Sequence, residues 1–219
     1  RSIFLTDIIE KPKDKMHRSI KYSTLINVKI KAKNSIGIKL TSREIQWAKE
    51  ELINLNLELP VALFPFSVAS SRTIPNNKIK EWFHGSNQSV LVLGSKEDAI
   101  EANSLIKECT GTKLINICGK YSMRESMALI SFCQFALASD SGLGHISASI
   151  GIPTISVFGA GDSEMTKPIG KRTFVINKNV DCSPCRKNVC MNTKDHLYCF
   201  NEIRQIDVKE AIQFLNLNP

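Results

Sequence analysis

A parallel, doubly wound α/β sheet is the fold that this sequence predicts, and three observations carry the expectation. From Pro60 onward, short β-branched runs alternate with helical segments of about ten residues, the rhythm of strands joined by crossover helices. Gly94, Gly119 and Gly159 each follow a strand-like run, so these glycines mark one rim of the sheet. The turn Asp140-Ser141-Gly142-Leu143-Gly144-His145 lies between the apolar run Phe135–Ala138 and a helix-like segment, and a β-branched strand pattern follows at Thr154–Phe158.

Residues 1–58 stand apart from that rhythm. They hold the basic run Lys11-Pro12-Lys13-Asp14-Lys15, a helical pattern near Arg18–Val28 and a turn around Asn34. Thr41-Ser42-Arg43-Glu44 is a capping box that opens a helix through about Leu55. This region reads as a connector or the remnant of a neighbouring domain, and 59–219 as the main domain. Within it the expected elements are a strand at Val61–Phe64, a helix at Asn76–Phe83, a strand at Ser89–Leu93 and a helix at Lys96–Cys109. A strand at Lys113–Cys118, a helix at Ser122–Phe132, a strand at Phe135–Ser139 and the helix after Asp140 follow. Asp207 is the expected N-cap of a last helix, Val208–Leu215.

The chain of 219 residues is 42% hydrophobic, enough for a substantial core, and it has no apolar run near the roughly 20 residues that span a bilayer. Its start, Arg1-Ser2-Ile3-Phe4-Leu5, lacks the apolar centre of a signal peptide, so a soluble, cytoplasmic protein is expected. The net charge of +8 is concentrated in residues 1–58, which carry 12 Lys and Arg against 7 Asp and Glu. No aromatics are interleaved with these cations, so nucleic acid is not the expected partner. An anionic membrane surface, a phosphorylated acceptor or a plain solvated face fits better.

A small-residue turn entering a helix leaves backbone N–H groups unpaired and aims the positive end of the helix dipole outward, which favours an anion such as phosphate. The turn also falls at the carboxyl end of a strand, where ligands of such sheets bind. The other concentration of chemistry is Cys182, Cys185, Cys190 and Cys199 in a loop at 181–200. Four thiols at this spacing admit a structural zinc ion, although the spacing is not a standard ribbon or finger; free thiols in a folded loop are the plainer reading.

Taken together, these residues resemble glycosyltransferase family 9, the heptosyltransferases of lipopolysaccharide core assembly. The resemblance rests on Asp140-Ser141-Gly142-Leu143-Gly144-His145, then Gly151-Ile152-Pro153-Thr154, then Phe158-Gly159-Ala160-Gly161-Asp162. Cys182-Ser183-Pro184-Cys185, Cys190 and Cys199-Phe200-Asn201-Glu202-Ile203 follow in the family's order. Upstream, Pro65-Phe66-Ser67, Arg72-Thr73-Ile74-Pro75 and Gly119-Lys120-Tyr121-Ser122-Met123 are fainter matches, and His17 and Tyr22 resemble the end of the family's N-terminal domain.

The resemblance implies a GT-B glycosyltransferase with two Rossmann-like domains, of which this chain looks like the C-terminal, donor-binding half. It implies an activated sugar donor such as ADP-heptose, no obligatory metal, an anionic lipopolysaccharide-core acceptor and peripheral contact with the inner membrane. Ser67, Arg72, Ser141 and the backbone of Gly142, Leu143, Gly144 and His145 would hold the diphosphate. Asp140 would hold the donor sugar or cap the helix, Lys96 would meet the ribose together with Asp98, and Tyr121 would lie against the base. The family's catalytic base belongs to the N-terminal domain and nothing in residues 1–58 matches its motif, so the isolated chain is expected to bind donor weakly and transfer little sugar.

Two other readings compete. Gly142, Gly144 and Ser147, with Asp162 downstream, imitate a nicotinamide-dinucleotide fingerprint, although the third glycine is replaced by serine and the helix is short. A non-catalytic or split module that works with a partner chain is the other.

Overall fold

The computed structural model describes residues 15–26 and 37–217. Its centre is a six-stranded sheet built from β1 (Val61–Phe64), β2 (Ser89–Val92), β3 (Lys113–Asn116), β4 (Ala136–Ala138), β5 (Thr154–Val157) and β6 (Thr173–Ile176). All five pairings are parallel, and the spatial order is β3-β2-β1-β4-β5-β6. The chain starts in the middle, works outward to one edge, returns and works outward to the other. This is the doubly wound arrangement, with its topological switch between β1 and β4.

Burial on both faces explains why the strands are almost continuously apolar. Side chains alternate along each strand, so Val61 and Leu63 face one core while Ala62 and Phe64 face the other. The first core is closed by α3 (Asn76–Phe83), α4 (Ala99–Glu108) and α9 (Gln205–Phe214), through Ile79, Leu105 and Ala211. The second is closed by α2 (Ser42–Asn54) and α5 (Met123–Ile130), through Ala48, Leu52, Ala128 and Leu129. Residues 42–54, grouped by sequence with the connector, thus contribute a helix to the layered core, and α2 lies against α5.

Capping sets several of the boundaries. Thr41 and Glu44 form the expected reciprocal box at the start of α2, and Ser122 with Glu125 forms a second at α5. Helix α4 begins at Ala99 and not Lys96, because the Asp98 carboxylate accepts from the amide and hydroxyl of Ser95 and holds residues 95–98 as a turn. The last helix begins at Gln205, earlier than expected; Asp207 occupies its first turn and accepts from the Arg204 amide, so it caps from inside the helix. Strand β6 and the short helices α7 (Ser163–Thr166) and α8 (Tyr198–Asn201) carry no strong periodicity and were not expected.

Preceding the sheet, α1 (Arg18–Leu25) is capped by His17, whose other ring nitrogen bonds the Lys167 carbonyl at 2.9 Å. Lys15 pairs with Asp162 and Glu164, so this segment lies against the β5 side of the strand-end rim. The expected helix beyond Leu25 and the turn near Asn34 fall largely on residues outside those described. No helix among the described residues is long and apolar enough to cross a membrane.

Candidate functional site

The loops that leave the carboxyl ends of β1, β2 and β4 enclose a cavity of about 850 Å³ at the topological switch. The β1 loop contributes Phe66, Ser67 and, from the end of the 3-10 turn Ser70–Arg72, the Arg72 side chain. The β4 loop contributes Asp140 and Ser141, and α6 (Gly142–Ile150) starts at its floor. Ser139, buried between the two loops, donates its hydroxyl to the Phe66 carbonyl at 3.1 Å and fixes their separation.

Small residues let α6 reach this position. Gly144 is buried, and a Cβ there would come within 3.0 Å of the Ala138 side chain, so glycine allows the helix to rest on β4. At the far end Gly151 adopts φ 100°, the left-handed conformation that terminates helices. The N-cap of α6 is Ser141, which makes no side-chain cap bond. Its hydroxyl is buried without a partner, and the same is true of Arg72 Nε. Two orphaned polar atoms at a helix N-terminus that itself has unpaired amides call for a ligand rich in acceptors.

The electrostatics centre on Asp140, whose side chain is 9% exposed and pairs with the Arg72 guanidinium at 3.4 Å. Burial pushes the Asp140 carboxyl up, against the opposing pull of Arg72, His145, Thr166 and Arg18. Burial likewise pushes the His145 imidazole down, while Asp140 and the Thr166 backbone pull it up. The site is therefore a desolvated acid among cations.

Of the residues singled out from sequence, Ser67, Arg72, Asp98, Asp140, Ser141, Gly142 and Leu143 line this one cavity. Gly144 supports it from beneath, and His145 turns toward Thr166. Lys96 and Tyr121 are not part of the lining. Lys96 is exposed within the Ser95–Asp98 turn, and Glu97 lines the wall in its stead. The Tyr121 hydroxyl donates to Glu51 at 2.6 Å and its ring lies edge-on to Trp47, so it buttresses α2. Met123, quoted with the Gly119–Met123 turn but given no role, also lines the cavity, and sequence reasoning missed Glu97, Ile146 and Asn188 on the same walls.

The family model for glycosyltransferase family 9 (heptosyltransferase) matches residues 29–196. The chain belongs to glycosyltransferase family 9. It is 26% identical over 135 residues to lipooligosaccharide heptosyltransferase 2 of Campylobacter jejuni, a match that covers 59% of this chain and 42% of that protein. Lipopolysaccharide heptosyltransferase 1 of Pseudomonas aeruginosa is 26% identical over 102 residues, or 46% of this chain and 28% of that one. The chain thus spans less than half the length of these relatives.

Solved structures share the fold. A family 9 glycosyltransferase from Veillonella parvula superposes with a TM-score of 0.76 at 17% identity, covering 97% of this chain and 64% of that one. An Escherichia coli heptosyltransferase solved with ADP gives 0.60 at 16% identity, covering 98% and 61%.

Two further expectations bear on this family 9 chain. Among the described residues, no group of three or more His, Cys, Asp or Glu side chains is arranged to hold a metal ion, so the zinc reading of the cysteine loop gains no support. Cys182, Cys185, Cys190 and Cys199 instead border a cavity of about 410 Å³ as free thiols. Asp162, the acid required by the dinucleotide reading, is buried and engaged by Arg186 and Lys15. Burial raises its carboxyl, but these two cations outweigh that and leave it below the usual carboxylate range.

Proposed function

We propose that this domain binds the nucleotide-diphosphate sugar of a heptosyl transfer, an ADP-heptose-like donor, in the cavity at the switch between β1 and β4. The observation that carries the reading is the pair of buried, unpartnered atoms Arg72 Nε and Ser141 Oγ beside the N-terminus of α6. A diphosphate supplies acceptors for both and for the free amides of Gly142 and Leu143. Leu93, Met123, Leu143 and Ile146 give the same cavity an apolar wall suited to a base. An E. coli relative of the same fold was solved with ADP, which supports the choice of nucleotide.

In the proposed reaction an acceptor oxygen bonds to the anomeric carbon as that carbon's bond to the diphosphate breaks. Negative charge then grows on the departing diphosphate, where the α6 amides and Arg72 stabilise it without rearranging. Asp140, which makes no cap bond, accepts from hydroxyls of the donor sugar. The base that takes the acceptor's proton is supplied from outside residues 59–219, so this domain alone transfers little sugar. Lys15, His17 and Arg18 lie on the Asp140 and Asp162 side, which suits an anionic acceptor such as a lipopolysaccharide core.

Titration calorimetry with ADP, ADP-mannose as an available surrogate donor, and NADH tests the reading. ADP and the ADP-sugar should bind and NADH should not. Binding of NADH in preference to both would overturn it.

A further inference from the structure

The thiols of the cysteine-rich loop have no role in the function proposed above, yet the loop places Asn188 on the wall of the donor cavity and is fastened at two places to its rim. On the β5 side, the Ser183 hydroxyl donates to the Gly159 carbonyl, the Arg186 amide donates to the Ala160 carbonyl at 2.8 Å, and the Arg186 guanidinium pairs with Asp162. On the β1 side, the Ser71 amide donates to the Asn188 carbonyl at 3.1 Å, the Ser70 hydroxyl donates to the same carbonyl at 3.3 Å, and the Ser71 hydroxyl donates to the Lys187 carbonyl. Residues 183–188 therefore run as a strap from the end of β5 to the 3-10 turn after β1.

That turn is Ser70-Ser71-Arg72, and its last residue presents the guanidinium to Asp140. Ser71 is 1% exposed and stands between two cavities: the one bordered by the four cysteines, which it lines, and the one its neighbour Arg72 lines. No side chain caps the turn, and its own loop holds it only at the flanks, where the Thr73 hydroxyl bonds the Ser67 backbone and the Ile74 amide donates to the Pro65 carbonyl; its middle residue, Ser71, is bonded to the strap. We propose that Ser71 is a positioning residue, which ties the cysteine-rich strap to the turn and so fixes where Arg72 meets the phosphates of the donor. The proposal rests on the reading of the cavity as a diphosphate site. It gives the strap a mechanical role that requires neither a metal nor a disulfide.

The test uses Ser71→Ala, which removes the hydroxyl bond to Lys187 and leaves the two bonds to the Asn188 carbonyl, and Ser71→Thr, which keeps the hydroxyl and whose extra methyl the 410 Å³ cavity beside Ser71 can admit. Two measurements are made on each. The first is affinity for ADP and for adenosine. Losing the Ser71–Lys187 hydrogen bond should weaken ADP about 3- to 10-fold in Ser71→Ala and leave adenosine within about twofold, with Ser71→Thr close to the parent. The second needs no ligand: the Asp140 carboxyl is titrated by ¹³C NMR. Displacing Arg72 removes a charge that opposes burial, so the Asp140 midpoint should rise in Ser71→Ala and return in Ser71→Thr.

An unchanged Asp140 midpoint in Ser71→Ala, equal loss of ADP and adenosine, or a failure of threonine to restore the midpoint would overturn the positioning role. A parent protein that binds ADP no better than adenosine, with the midpoint still moving in Ser71→Ala, would sink the donor reading and leave the mechanical coupling standing.

Discussion

The Arg72 guanidinium stands 3.4 Å from the Asp140 carboxylate and joins the loop after β1 to the loop after β4 across the switch in strand order. The pair leaves Arg72 Nε free, so Asp140 orients the cation without saturating it. Arg72→Ala should therefore cost the charged hydrogen bonds to a diphosphate, about 1.5–3 kcal/mol or roughly 10- to 150-fold in ADP affinity. Adenosine binding should change little. Calorimetry with the two ligands checks the difference, and equal losses would place Arg72 in the scaffold.

Asp140→Asn should stabilise the unliganded protein. An acid whose folded pKa is raised holds more protons folded than unfolded between the two values, so stability falls as pH climbs through that window and stays lower above it. Removing the charge removes that penalty, while the proposed contact with the donor sugar keeps only a neutral amide oxygen in place of a carboxylate. A higher Tm near neutral pH, with the gain vanishing in strong acid and donor affinity reduced, is the expected pattern in thermal melts. A lower Tm near neutral pH would show that Arg72 more than compensates the buried carboxylate.

Much of this site was legible because it lies where small residues punctuate strong patterns. Val61–Phe64 and Asn76–Phe83 coincide with β1 and α3. The Asp140–His145 turn opens α6 because glycines permit the close approach to β4. Lys96 and Tyr121 stand off the lining for a physical reason: adjacency to a strand end does not fix a side chain's direction. Tyr121 found Glu51 and Trp47 on α2, a partner 70 residues away that no local pattern announces. Asn188 reaches the cavity through tertiary packing alone, and the strap reads as a cysteine motif until its backbone bonds to Ser71 are seen.

Glu44 links α2 to α5 and should shape the acid limb of stability. The Arg124 guanidinium, with the Thr41 amide, holds its carboxyl down at about 2, from 4.5. A lowered folded pKa gives stability that is complete above the unfolded value and lost as pH falls toward about 2. Glu44→Gln should lower Tm at neutral pH, and the two melting curves should converge in that acid window. Parallel curves would remove the ion pair from the account.

The seven cysteines should separate by environment. Cys182 and Cys185 are exposed, whereas burial pushes the Cys118 thiol up to about 12 and Cys199 to about 11, with Cys133 raised further. A thiol reagent followed by mass spectrometry should modify Cys182 and Cys185 first, and Cys118 and Cys133 only on unfolding. Early modification of Cys133 would contradict the packing beneath α5.

The central claim is that the α6 N-terminus and Arg72 hold the donor's diphosphate, and backbone ¹⁵N NMR during an ADP titration tests it most directly. The amides of Gly142, Leu143 and Gly144 should shift with increasing ADP, adenosine should leave them nearly in place, and Arg72→Ala should shrink the ADP response. Saturable ADP binding that leaves these three amides unmoved would contradict the account.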